Sequence, residues 1–199
     1  MGGLTSLAMT VPVWTALTLA YHLASRLAYV LYVGLALRRQ ERTGYFTRRY
    51  GPEEGFRRFR RAAAILMSSD AVSFVALCLV SRNTLAIGLP RDLVLAAGVV
   101  LVLVGLLIKA WAAATLGGRA YYWSNFFGPA NRTARSVAGP YRFFKNPMYT
   151  VGYLHVYGLA LLSGSLPGLA AALFDQAAIL TFYRAVEKPH FDRSVAGAG

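Results

Sequence analysis

The 199-residue chain is 56% hydrophobic and 15% charged, with a formal net charge of +13, far below the roughly 25% charged share of ordinary soluble domains. A single cysteine, Cys78, excludes an internal disulfide, and with only three scattered histidines it leaves no zinc-binding spacing. The basic residues avoid the long apolar runs, so their partner reads as an anionic lipid surface rather than nucleic acid.

In chain order, residues 1–10 carry no Lys or Arg. The positive region of a secretory signal is missing, and the apolar run that follows reads as a retained membrane helix. The first predicted span covers residues 11–37. His22 and Arg26 lie four apart and share one face. An arginine near mid-span costs about 2.5–3.5 kcal/mol on insertion scales, so Arg26 is expected to face the bundle interior. Two roles stand side by side for it: pairing with Asp70 or Asp175, or meeting a substrate. Residues 38–61 form a hydrophilic connection with nine arginines against three glutamates. Within it, residues 53–61 suit a short interfacial helix that lays Phe56, Phe59 and the arginine stems on the lipid boundary.

The second span is predicted over 62–80, with a polar notch at Ser68, Ser69 and Asp70. After a turn at 82–92, the third covers 93–116, where Gly98 and Gly105 permit close helix contact. Residues 117–145 carry five basic side chains and no acidic one, with five aromatics between Tyr121 and Phe127. A fourth helix is expected from Pro147, as its first residue, to 162. A tight turn at 163–168 and a fifth helix over 169–186 complete a C-terminal hairpin. The fold expected is a single all-α integral membrane domain, residues 1–199, with about five transmembrane helices. It divides into a three-helix part (11–116) and a motif-bearing part (117–192). Both strongly basic segments fall on one side. By the positive-inside rule, this predicts an outside N-terminus, a cytoplasmic C-terminus and a cytoplasmic cofactor site. The expected compartment is a bacterial inner membrane.

The stretch around which the chain is organised is GPYRFFKNPMYTVG, residues 139–152. Lys145, Asn146 and Tyr149 cluster around Pro147 at the boundary between polar and apolar sequence. Interfacial anchoring explains some of this. The convergence of donors within one or two turns points to a polar site at the membrane surface.

NPMY with a glycine three residues on, LGGRAYYWSNFFG (116–128) and VEKPHF (186–191) together resemble the integral-membrane phospholipid N-methyltransferases. More loosely, they resemble the isoprenylcysteine carboxyl methyltransferases. The resemblance covers residues 105–192 and departs from the family at Ala120 and Val186, which stand where the family has Gly and Glu. It implies S-adenosyl-L-methionine as methyl donor and a membrane phospholipid as acceptor, namely phosphatidylethanolamine or its partly methylated forms. The residues it marks for the cofactor are Gly117, Gly128, Tyr141, Lys145, Asn146, Pro147, Tyr149, Gly152 and Glu187. Glu187 and His190 are the candidate proton acceptors, since an alkylammonium must lose a proton before it attacks. Carboxyl or thiol methylation of another hydrophobic acceptor stands as an alternative. So does a non-enzymatic scaffold or transporter with His22, Arg26, Asp70 and Asp175 along a polar path. No metal site and no oligomeric state are predicted.

Overall fold

A computed structural model describes residues 12–128 and 138–196. The uncharged 1–10 segment, Pro129, Arg132 and Arg135 lie outside them. Helix α1 runs Val13–Thr43 and ends on Gly44, whose φ of 63° is open to glycine without strain. A one-turn helix, α2 (Tyr45–Tyr50), leads to a second positive-φ glycine, Gly51, and then to α3, Pro52–Val80.

The 38–61 connection is therefore helical almost throughout, broken only at those two glycines. The expected interfacial helix and second span are one rod. Its start suits the sequence: Pro52 sits where a missing N–H costs nothing, and Glu53 and Glu54 face the positive helix end. Helix α4 (Arg91–Tyr121) kinks at Gly117, φ 78°. Pro147 does not begin a helix, because residues 147–153 form turns and a 3-10 segment, and α5 spans only Leu154–Ser163. Helix α6, Leu166–Phe182, passes through a π turn at Tyr183–Glu187 into α7, Lys188–Ala196.

Among the described residues, four helical stretches are long and apolar enough to cross a membrane: α1, α3, α4 with its continuation to Phe126, and α6 with its continuation to Arg193. Val151–Ser163 is apolar but shorter. The outer surface is that of a bilayer protein. Leu31, Leu35, Val72, Leu103 and Leu107 are exposed, whereas His22, Asp70 and Asp175 are buried.

Helices α1, α3 and α6 pack together, α5 bridges them, and α4 leans chiefly on α5. Gly98 and Gly158 allow that last contact: a Cβ on Gly158 would meet the Gly98 carbonyl at 2.6 Å. Backbone bonds Asn83 N–H to the Ser163 carbonyl (3.0 Å) and Leu85 N–H to the Gly164 carbonyl (2.8 Å) join the two short turns at one end. At the opposite end, Arg119 pairs with Glu53 and Glu41 with His190. The segments around 44–51, 119–128 and 139–150 thus gather with Glu187 at a single end of the bundle. An aromatic cluster of Phe46, Phe56, Phe59, Trp123 and Phe127 packs that end together.

Candidate functional site

Glu187 is 7% exposed and sits at the end of the π turn. The turn has an identifiable cause. Pro189 has no N–H, so the Ala185 carbonyl four residues back loses its helical donor. Arg38 Nη2 donates to that carbonyl instead, at 3.1 Å. The extra residue in the turn aims Glu187 inward while Lys188 faces out and binds Asp192 at 2.5 Å.

Two side chains then fix the carboxylate. The Trp123 indole N–H and the Tyr149 hydroxyl both donate to Oε1, the second at 2.7 Å. Oε2 makes no hydrogen bond among the described residues. Trp123 holds a left-handed backbone conformation, φ 60°, unusual for a bulky residue and tolerated where surrounding packing enforces it. Tyr149 is pinned from both sides. Its N–H donates to Asn146 Oδ1 (3.2 Å), and its carbonyl accepts from Gln176 Nε2 on α6 (3.2 Å). Enclosure, and then the adjacent Glu187 carboxylate, push the Tyr149 hydroxyl well above its ordinary pKa, so it remains a donor.

Asn125, Tyr141, Lys145, Asn146, Tyr149 and Glu187 line one recess. The structure therefore brings together five of the residues marked from sequence and adds Asn125, whose Nδ2 is buried without a partner among the described residues. Pro147 and Gly152 do not line the recess, and pack against each other instead. A Cβ on Gly152 would stand 2.9 Å from the Pro147 carbonyl. Gly117 supplies the kink after which the chain turns towards Trp123. Gly128 and His190 belong elsewhere. They line a separate recess with Glu41, where His190 stacks on Phe126 at 3.7 Å and bonds Glu41 Oε1 through Nδ1 at 2.8 Å.

A second cavity, of about 240 Å³, shares Tyr121, Trp123, Met148 and Tyr149 with the first recess and runs deeper between the helices. Its polar end is a buried ion cluster. Arg26 donates through Nε to Asp175 Oδ1 (2.8 Å) and through Nη2 to Asp175 Oδ2 (2.9 Å), and its Nη2 forms an ion pair with Asp70 Oδ2 at 2.7 Å. His22 joins Asp175 Oδ2 at 3.2 Å and Ser73 Oγ at 2.8 Å. Arg26 pairs with both candidate aspartates. His22, Asp70 and Asp175 present ligand atoms within 4.8 Å of one another, and the guanidinium already supplies positive charge to both carboxylates.

Sequence reasoning missed Trp123 as a Glu187 partner and Lys109 as a cavity residue. Trp123 is one of five neighbouring aromatics with nothing to single it out. Lys109 stands near the end of the predicted 93–116 span, where a basic residue ordinarily marks the exit to the interface, yet it lines the cavity with Asp70.

A polytopic helical membrane protein with a carboxylate-bearing recess at one face, opening towards a deeper intramembrane cavity, is the class that this geometry defines. Residues 93–195, just over half of the chain, match the phospholipid methyltransferase family, and the chain belongs to it. It is 30% identical over 151 residues to a phosphatidylethanolamine N-methyltransferase of Debaryomyces hansenii, a match covering 71% of this chain and 17% of that protein. It is 30% identical over 143 residues to one from Candida tropicalis (68% and 16%) and 33% identical over 137 residues to one from Talaromyces marneffei (68% and 14%). The chain thus spans less than a fifth of the length of these relatives. No solved structure matches it. The fungal source of these relatives corrects the bacterial inner membrane expected from sequence, and only the integral-membrane part of that expectation stands. Loop charge reports the polarity of a membrane segment and carries no information about the organism.

Proposed function

We propose that the protein is an S-adenosyl-L-methionine-dependent N-methyltransferase of phosphatidylethanolamine and its mono- and dimethylated forms. The observation that carries this reading is the Glu187 carboxylate, fixed by Trp123 and Tyr149 in a recess that joins a cavity between the helices. The donor set fits such a cofactor. Glu187 Oε2 offers negative charge and an acceptor for hydroxyl or cationic groups. Lys145 suits a carboxylate, Asn146 and Asn125 offer amide donors, and Tyr141 presents an aromatic wall. When bound, the cofactor supplies an electrophilic methyl group, whose bond to sulfur breaks as the amine lone pair forms the new N–C bond.

The chain's own contribution is largely positioning. Tyr149 stands in the wall shared by recess and cavity and is locked by three hydrogen bonds, so it fixes where donor and acceptor meet. Five crossings, with Val151–Ser163 as a short fourth span, place the recess at the membrane face bearing the basic segments, from which a soluble donor is supplied. The motif-bearing part, 117–192, carries the chemistry, and the three-helix part, 11–116, walls the lipid side. The exposed arginines of 38–61 hold that face against anionic lipid.

The test is transfer of labelled methyl groups from S-adenosyl-L-methionine by protein in nanodiscs. Phosphatidylethanolamine, its two partly methylated forms and a prenylcysteine are offered in parallel. Transfer to the lipid amines alone is expected. Cofactor binding without transfer to any lipid amine rejects the substrate assignment, and transfer to the prenylcysteine alone moves the protein to carboxyl methylation.

A further inference from the structure

The deeper cavity lies in a gap. Helix α4 leans on α5 and scarcely touches α3, and between α3 and α4 the cavity is walled by Met67, Asp70 and Val75 on one side and Lys109 on the other. Val75 is 45% exposed on the outer face, so the cavity reaches the lipid-facing surface there. Three of its polar groups are not satisfied by the protein. Among the described residues, Asp70 Oδ1 is buried without a hydrogen bond, with His22 Nδ1 4.0 Å away. The Tyr153 hydroxyl is likewise buried and unpartnered. Lys109 forms no ion pair among the described residues.

Polar groups buried without a partner are costly to leave unsatisfied, so they mark a place for a ligand. Here an acceptor pair and a cation face one space, which is the complement of a zwitterion carrying an ammonium and a phosphate diester. Arg26 does not fill either role, being committed to Asp175 and Asp70 Oδ2.

We infer that this cavity is the headgroup-recognition site for the lipid amine, entered laterally between α3 and α4. Lys109 takes the phosphate diester, and Asp70 Oδ1 with the Tyr153 hydroxyl takes the ammonium. The inference rests on the lipid-amine reading above and adds the residues that select the headgroup. Tyr149 and Tyr153 both line this cavity, and Tyr149 also lines the donor recess, so the ammonium site lies beside the shared wall. Recognition by acceptors also sets an order among headgroups. A primary ammonium offers three N–H donors and a trimethylated one offers none, so the fully methylated headgroup is held least and leaves.

Calorimetric binding of short-chain dihexanoyl lipids to the detergent-solubilised full chain, without methyl donor, tests this apart from catalysis. Dihexanoyl-phosphatidylethanolamine is expected to bind at least tenfold tighter than the phosphatidylglycerol analogue, which keeps the phosphate and lacks the ammonium. The phosphatidylcholine analogue should also bind more weakly than the ethanolamine lipid. Lys109→Met should weaken the ethanolamine and glycerol lipids alike, by about tenfold. Tyr153→Phe removes only an unpartnered hydroxyl and leaves the ion cluster intact. It should erode the preference for the ethanolamine lipid several-fold with no loss of thermal stability, which keeps the test valid if Asp70→Asn fails to fold. Equal binding of the ethanolamine and glycerol lipids by the wild type overturns the inference. So do wild-type constants in both Lys109→Met and Tyr153→Phe. Methyl transfer with no headgroup discrimination sinks this inference alone, whereas discrimination without transfer to any lipid sinks only the enzymatic reading.

Discussion

Asp175 and Glu187 lie on one continuous helical stretch, both buried, and their surroundings assign them different work. Asp175 is saturated: Arg26 occupies both of its oxygens and His22 adds a third contact. Glu187 has both donors on Oε1 and leaves Oε2 to the recess. A buried carboxylate is therefore not by itself a sign of chemistry. What separates a structural charge from a site is an unused acceptor next to space for a ligand.

The contrast breaks most visibly at Asp175. Replacing it with Asn strips Arg26 of its bidentate partner inside the membrane and leaves Asp70 as its one carboxylate among the described residues, and breaking a buried pair costs about 3–5 kcal/mol. The expected outcome is a steep fall in the thermal midpoint, or loss of monodisperse protein in detergent, rather than a selective loss of transfer. A folded Asp175→Asn protein with the wild-type midpoint removes the structural role assigned to the cluster.

Glu187→Gln probes the other side. It preserves size and hydrogen-bonding capacity, and the fold is expected to survive. Single-turnover transfer should fall by about 100-fold, equivalent to about 2.7 kcal/mol of barrier. A free alkylamine titrates near pKa about 10.4, so raising the pH enlarges the neutral fraction of the lipid amine. If Glu187 accepts the amine proton, the defect shrinks as pH rises. Two donors on Oε1 favour a fixed charge and anchor over a proton acceptor, and on that proposal the loss should remain constant across the pH series. A defect that vanishes at high pH would instead make Glu187 the proton acceptor.

A smaller effect sharpens the same comparison. Tyr149→Phe deletes the 2.7 Å donor to Glu187 while keeping the ring in the shared wall. A hydrogen bond to a charged group contributes about 1.5–3 kcal/mol. Trp123 still holds the carboxylate, so the donor dissociation constant should rise by about tenfold, read by calorimetry. An unchanged constant separates the tyrosine from donor binding.

The membrane-spanning character was plain from the apolar runs, because hydrophobicity of that length has few other uses. The 38–61 segment misled, because arginines mark a polar loop by charge yet are good helix formers. Only Gly44 and Gly51 supply the positive φ that breaks the rod. Pro147 read as a helix start because the pattern of a first-turn proline is common. The Asn146 side chain does accept from the Tyr149 amide, but the turn it caps is not α-helical. Lys145, Asn146, Tyr149 and Glu187 were legible through their motifs and the hairpin. Trp123 and Lys109 were not, since their roles depend on which helices leave a gap, and that is a property of packing rather than of local pattern.

His190 offers the smallest expected effect. From sequence it stood beside Glu187 as a second proton acceptor, three residues on and with an imidazole suited to the task. The π turn rotates the helix so that the two face different spaces. Glu187 meets Trp123 and Tyr149, while His190 lies flat on Phe126 and bonds Glu41, which Arg193 also binds at 2.8 Å. With Arg193 left to hold Glu41, His190→Gln should keep the fold and reduce transfer by no more than about threefold. Loss of a general base reduces rate by about 10²–10⁴-fold, so the two outcomes do not overlap. A loss of that larger size in folded protein, with donor binding intact, would bring His190 back as the group that takes the amine proton and would require α7 to move during turnover.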